Sequence, residues 1–105
     1  MSDGPLRGVR VLDVSTILAG PLASSLLAEF GAEVIKIEHP DGGDPARHYP
    51  PLHDGESASW DMIGRGKRSV TIDLHHPRAH RIVGSLAAHA DIVVTNFRPA
   101  TLRRF

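Results

Sequence analysis

The sequence contains no cysteine. Disulfides, thiolate nucleophiles and cysteine-based zinc sites are therefore excluded, and the absence fits a reducing compartment. Neither charge is in surplus, since Lys+Arg and Asp+Glu both number 12. That balance argues against nucleic acid or a charged membrane surface as partner, because such functions leave a one-sided excess. No apolar run approaches the about 20 residues of a membrane span. No apolar stretch follows the polar start MSDGPLRG, so no signal peptide is expected. These absences together place the expected protein in the cytoplasm. Chemical motifs are missing too. No G-x-G-x-x-G follows the first strand, and no G-x-S-x-G elbow surrounds Ser15 or Thr16. Gly66-Lys67-Arg68-Ser69 echoes a phosphate loop, but Asp61 stands where its first glycine belongs and Arg68 separates Lys from Ser.

What remains is enough for one small domain of 105 residues, with 41% hydrophobic and 23% charged residues. Val9 to Val14 carries three valines bounded by Gly8 and reads as a strand. Ser15 to Gly20 reads as a turn, and Pro21 suits the first position of a helix. Leu22, Leu26, Leu27 and Phe30 follow at helical spacing and are expected to form the buried face of that helix. Gly31 is placed to end it, and Val34, Ile35 and Ile37 make the next strand. Strand, helix and strand in this order form a βαβ unit with parallel strands.

The pattern then recurs. Ser69 to Leu74 alternates, with Val70, Ile72 and Leu74 on one side. Pro77 is expected to open a second helix, whose core face carries Ile82, Val83, Leu86 and Ala90. Ile92-Val93-Val94 is a continuous apolar run of the kind found in strands covered on both faces. Between the units, 39–57 is rich in Pro, Gly and Asp and reads as a long loop, functional or disordered. A helical turn is expected over 59–63. The fold class is therefore α/β: a mainly parallel, Rossmann-like sheet of about four strands with helices on both faces. A helix beginning after Pro99 runs to the last residue, which leads us to expect a piece of a longer domain.

In open α/β sheets, ligands sit outside the carboxyl ends of the strands. That rule selects Ser15 to Pro21, His39 to Arg47, His75-His76 and Asn96 to Pro99. Ala19-Gly20 permits close backbone approach at a helix start. Asn96 both donates and accepts, Phe97 offers a flat apolar face, and Arg98 and Arg104 offer cations for phosphate. These residues suit a ligand with an amide-rich arm, a ring and several phosphates, a description that covers coenzyme A and other nucleotides. Asp13, ending the first strand, is expected to accept hydrogen bonds from turn N–H groups. His76 and His80 stand four apart but lack a third ligand, so no metal site is expected.

The run PLRGVRVLDVSTILAGPLASSLLAEFGAEVIKIE resembles the opening of family III CoA-transferases, which include formyl-CoA transferase, carnitine CoA-transferase and α-methylacyl-CoA racemase. Three further blocks agree in order and spacing: Gly42-Gly43-Asp44 followed by Arg47, GRGKRSVTIDLHHP over 64–77, and ADIVVTNFRPATLRRF over 90–105. The resemblance covers essentially the whole chain.

It implies a CoA-binding N-terminal portion, residues 1–105, of an enzyme that moves CoA from an acyl-CoA to a carboxylic acid. Ile17, Leu18 and Ala19 would line the pocket near the thioester and pantetheine arm. Ile72 and Leu74 would contact the adenine, and Asn96, Phe97 and Arg104 would contact CoA. His39 and His75 stand where members often carry Arg or Lys for the phosphates, a departure that weakens those contacts because neutral His carries no charge. The family's nucleophile is an aspartate beyond residue 105, so no catalytic residue is assigned here. In the transferases it forms an acyl-aspartyl anhydride and an aspartyl-CoA thioester. The racemase branch uses a downstream His/Asp pair instead. Acyl-CoA enters as substrate and no permanently bound cofactor is implied. The full-length protein is expected to be an interlocked homodimer, and this portion alone to be inactive. A non-catalytic CoA-binding remnant is the further alternative.

Overall fold

The computed structural model describes residues 3–105. Four strands form the main sheet: β1 (Arg10–Val14), β2 (Glu33–Glu38), β5 (Lys67–Thr71) and β6 (Ile92–Thr95). Their order is β5-β2-β1-β6, and every pairing is parallel. Helix α1 (Ala19–Glu29) joins β1 to β2, and α3 (Ala79–Ala88) joins β5 to β6. These are the two repeated units read from the sequence. In the second, β5 and β6 lie at opposite edges, so the connection crosses the whole sheet.

Strand alternation assigns each side chain to a face. Val11 and Val34 pack with Ala28 and Ala32 beside α1. Leu12, Val14, Ile35 and Ile37 pack with Val83, Leu86, Ala87 and Ala90 beside α3. Helices thus lie on both faces.

The face α1 buries differs from the expected one. Gly20, Pro21, Ser24, Ser25 and Ala28 are its buried residues, while Leu26 is 47% and Phe30 55% exposed. Leu22 and Leu27 are half-buried. Small side chains let the helix come close to the sheet, and the serine hydroxyls find polar partners there, so Leu26 and Phe30 are left outward while Leu27 packs at the edge of the core. The helix also starts at Ala19, two residues before Pro21. Proline is tolerated because first-turn N–H groups have no intrahelical partner in any case.

Other boundaries shift for similar local reasons. β5 runs from Lys67 to Thr71, so Ile72 and Leu74 lie beyond its end. Ile72 still donates its N–H to Glu38 C=O at 2.9 Å, and both residues pack on the α3 face. Turns bonded from His76 N–H to Asp73 C=O and from Ala79 N–H to His76 C=O delay α3 to Ala79. Ile82 is 49% exposed rather than core. Ile92 and Val93 are 39% and 51% exposed because β6 is an edge strand. Residues 39–57 are not structureless: they hold a 3-10 helix (Pro45–His48) and a small hairpin, β3 (Leu52–His53) with β4 (Glu56–Ser57). The expected turn over 59–63 is helix α2 (Ala58–Ile63), capped by Ser57 Oγ, which accepts from Trp60 N–H at 3.2 Å. Helix α4 (Pro99–Arg104) follows Arg98. Among the described residues no helix is long and apolar enough to cross a membrane.

Candidate functional site

All four parallel strands end on one side of the sheet, and a cavity of about 340 Å³ opens there. Its walls come from separate strand ends. Thr16 follows β1, Ile37 and Glu38 end β2 with His39, Asp41 and Gly43 to Pro45 following it, Ile72, Leu74 and His75 follow β5, and Phe97 follows β6. Phe105 closes one side, its ring edge-on to His75 at 5.0 Å and to Phe97 at 5.8 Å between centroids. Five of the residues singled out in the sequence, His39, Ile72, Leu74, His75 and Phe97, therefore line one space.

Ile17, Leu18, Ala19, Asn96, Arg98 and Arg104 fall outside that lining. Ile17 and Leu18, on the segment leading into α1, and Ala19, its first residue, are exposed. Asn96 sits beside Thr16 with both ends of its amide engaged: Oδ1 accepts Thr16 N–H at 3.1 Å, and Nδ2 donates to Thr16 C=O at 2.7 Å. Arg104 is exposed near the end of α4. Arg98 is exposed as the residue preceding that helix. The close approach expected at Gly20 is made by protein rather than left open, since a Cβ there would collide with the Ser15 side chain.

At the rim, Asp73 Oδ1 lies 3.6 Å from His39 Nε2 and 3.5 Å from His75 Nδ1. The His75 backbone N–H donates to the same oxygen at 3.0 Å. That bond is the main cause holding the Asp73 carboxyl below its usual range; desolvation opposes it, and the two imidazoles add to it.

Beneath the cavity lies a buried polar network without periodic sequence signal. Asp13, fully buried, accepts from the hydroxyls of Ser15 and Ser24 and from Lys67 Nζ at 2.9 Å. Its partners are thus hydroxyls and an ammonium, not the expected turn N–H groups. Burial works against its ionisation, but the serine hydrogen bonds with Lys36 and Lys67 outweigh it and hold its pKa low. Lys67, which the phosphate-loop echo had drawn attention to, also donates to Pro21 C=O at 2.7 Å. Burial lowers its pKa despite Asp13. Lys36 bonds Asp44 at 2.9 Å and Ser15 C=O at 2.8 Å. Glu38 receives Arg47 through both carboxylate oxygens at 2.7 Å, plus Ser69 Oγ and Asp44 N–H. Burial alone would raise its pKa, yet these donors bring it from 4.5 to about 2. The Arg47 guanidinium lies 4.2 Å from the Trp60 ring centroid. The Glu38 hydrogen bond raises the Arg47 pKa against the effect of its burial.

One backbone position stands apart. Ile17 has φ 76°, a left-handed conformation that a β-branched side chain strongly disfavours. Leu18 N–H donates to Thr16 C=O at 3.1 Å across it, as in the rare positive-φ γ-turn. Such a conformation costs on the order of 1–3 kcal/mol and persists only where its surroundings impose it.

Comparison with known proteins fits this arrangement to a family. A family model described as CoA-transferase family III matches residues 6–105. The chain is 46% identical over 102 residues to the succinyl-CoA–L-malate CoA-transferase beta subunit of Chloroflexus aurantiacus, covering 96% of this chain and 25% of that protein. It is 44% identical over 99 residues to succinyl-CoA:glutarate CoA-transferase of Mus musculus, covering 93% and 23%. Among solved structures, a CAIB/BAIF family protein from Brucella suis superposes with a TM-score of 0.86 at 36% identity, over 97% of this chain and 28% of that one. A hypothetical protein from Mycobacterium tuberculosis does so with a TM-score of 0.86 at 41% identity, over 99% and 28%. The chain spans about a quarter of the length of these relatives. On the strength of that match, the chain belongs to CoA-transferase family III.

Proposed function

We propose that this chain supplies the CoA-binding, N-terminal portion of an acyl-CoA:carboxylate CoA-transferase. The observation that carries the reading is the cavity at the strand ends, where apolar Ile72, Leu74, Phe97 and Phe105 meet polar Thr16, His39 and His75. Such a mixed lining suits a flat ring joined to a polar chain. Ile72 and Leu74 take the adenine, and Phe97 the adjoining part of the nucleotide. Ile17, Leu18 and Ala19 lie along the pantetheine arm towards the thioester. Asn96 meets the ligand with the N–H and lone pair that Thr16 leaves free. Arg104 reaches the ligand only from outside the cavity.

The chemistry requires an aspartate from a segment beyond Phe105. That carboxylate attacks the acyl-CoA carbonyl, and CoA leaves as thiolate, giving an acyl-aspartyl anhydride. The thiolate returns to the aspartyl carbon, releasing the donor acid and leaving an aspartyl-CoA thioester. The acceptor carboxylate repeats the exchange in reverse. The activities for which the relatives are named support succinyl-CoA as donor class and a dicarboxylic acid as acceptor. The complete enzyme is a soluble, cytoplasmic, interlocked homodimer, and residues 1–105 alone do not turn over.

Calorimetric titration of CoA into the protein tests the binding assignment. Ile72→Glu puts a charge into the apolar wall and should weaken binding at least about tenfold, since an unpaired charge is costly to desolvate. Equal affinity in parent and variant would remove the cavity from consideration.

A further inference from the structure

Three consecutive residues between β1 and α1 have their backbone groups captured by side chains from other elements. Lys36 Nζ donates to Ser15 C=O at 2.8 Å. Asn96 takes both the N–H and the C=O of Thr16. Asp44 accepts the Ile17 N–H with both carboxylate oxygens, at 3.1 and 3.2 Å. Asp44 is itself fixed by Lys36 at 2.9 Å and by the Ala46 N–H at 2.9 Å. It is buried, while the apolar side chains of the turn it holds, Ile17 and Leu18, are 38% and 55% exposed. A fold that uses a buried ion pair to hold a β-branched residue at φ 76° gains no stability from that backbone conformation itself.

We infer that Asp44 is a positioning residue. Its carboxylate, anchored by Lys36, holds Ile17 in the strained turn so that Ile17 and Leu18 stand beside the cavity mouth in the conformation the acyl-CoA meets. This rests on the reading that the cavity takes CoA. Thr16 and Asp44 both line that cavity, so the clamp and the ligand share a wall. Strain held at a site in advance is a known form of pre-organisation: the ligand meets an ordered surface and need not order it.

The clamp is needed because residue 17 is isoleucine, and a double-mutant cycle in the full-length protein exploits this. Asp44→Asn keeps shape but loses the charge that binds Lys36. In the parent it should weaken CoA binding about tenfold, whereas in an Ile17→Gly background, where φ 76° is free of steric cost, it should change affinity less than about twofold. A purely structural Asp44 would cost the same in both backgrounds, and that result overturns the inference while leaving the CoA reading intact. A parent protein that does not bind CoA overturns both. Thermal melting of Ile17→Gly against Ile17→Ala is independent of whether Asp44→Asn folds. The glycine variant should melt higher, reversing the usual order for an unstrained loop position; an alanine variant that melts as high or higher contradicts the strain on which the inference depends.

Discussion

Lys36 Nζ and Asp44 Oδ2 meet at 2.9 Å with both side chains 1% exposed. A pair this deep is poor evidence of net stability, but removing one partner leaves the other charge buried and uncompensated. Lys36→Met should therefore destabilise the protein by roughly 3–5 kcal/mol. Denaturant unfolding measures it, and a loss below about 1 kcal/mol would mean that Asp44 finds water or another cation.

The inverted face of α1 gives a prediction opposite to ordinary intuition about helices. Ser24 is fully buried and donates to Asp13, whereas Leu26 is 47% exposed. Ser24→Ala removes a hydrogen bond to a buried carboxylate and should cost about 1–3 kcal/mol. Leu26→Ala should change stability by about 0.5 kcal/mol or less. Equilibrium unfolding of the two variants side by side decides the matter; a larger loss at Leu26 would show that the leucine face is the packed one.

Glu38 supplies a pH dependence. Its carboxyl lies at about 2 in the folded protein against an ordinary 4.5, so folding favours the ionised form. The stabilisation is full above pH 4.5 and drains away as the pH falls towards 2. Glu38→Gln never has it. Parent and variant should differ in unfolding free energy at pH 7 and converge between pH 4.5 and 2. Curves that stay parallel through that window would contradict the proposed network of Arg47, Ser69 and the Asp44 N–H.

Gly43 is held at φ 74°, and a Cβ there would lie 2.7 Å from Glu38 Oε1 and 2.9 Å from Arg47 Cδ. Gly43→Ala must either strain the backbone or push apart the Glu38–Arg47 pair, at a cost of order 1–3 kcal/mol. Thermal melting should show Tm lowered by at least about 5 °C. An unchanged Tm would show that this loop relaxes freely.

The parallel character of the sheet was legible because Val11, Val14, Val34, Ile37 and Val94 announce strands and the intervening segments announce helices; the strand order was not. The strand-end rule then gathered His39, His75 and Phe97, and the family resemblance added Ile72 and Leu74; the cavity brings these five together. The buried face of α1 was misread because periodicity weighs apolar bulk, and it cannot see that Ser24 and Ser25 find polar partners in Asp13 and the Met62 C=O. No periodic signal pairs Asp13, Lys36, Asp44 and Lys67: Asp13 reads only as an acceptor of turn N–H groups and Lys67 as part of an incomplete phosphate-loop echo, until the fold brings Lys36 to Asp44 and Lys67 to Asp13. Phe105 was missed as a wall of the cavity because its contacts with His75 and Phe97 depend on how α4 is placed. The strain at Ile17 was equally hidden, since isoleucine is a residue that sequence reasoning would not put at positive φ.

The central claim is that CoA sits in the cavity at the strand ends. Amide NMR spectra of the isotopically labelled protein, recorded with and without CoA, test it most directly. Shifts should concentrate at Thr16, Gly43, Leu74, His75 and Phe97, with Leu26 and Phe30 on the outer side of α1 unmoved. Shifts confined to α1, or spectra that do not change at saturating CoA, would contradict it.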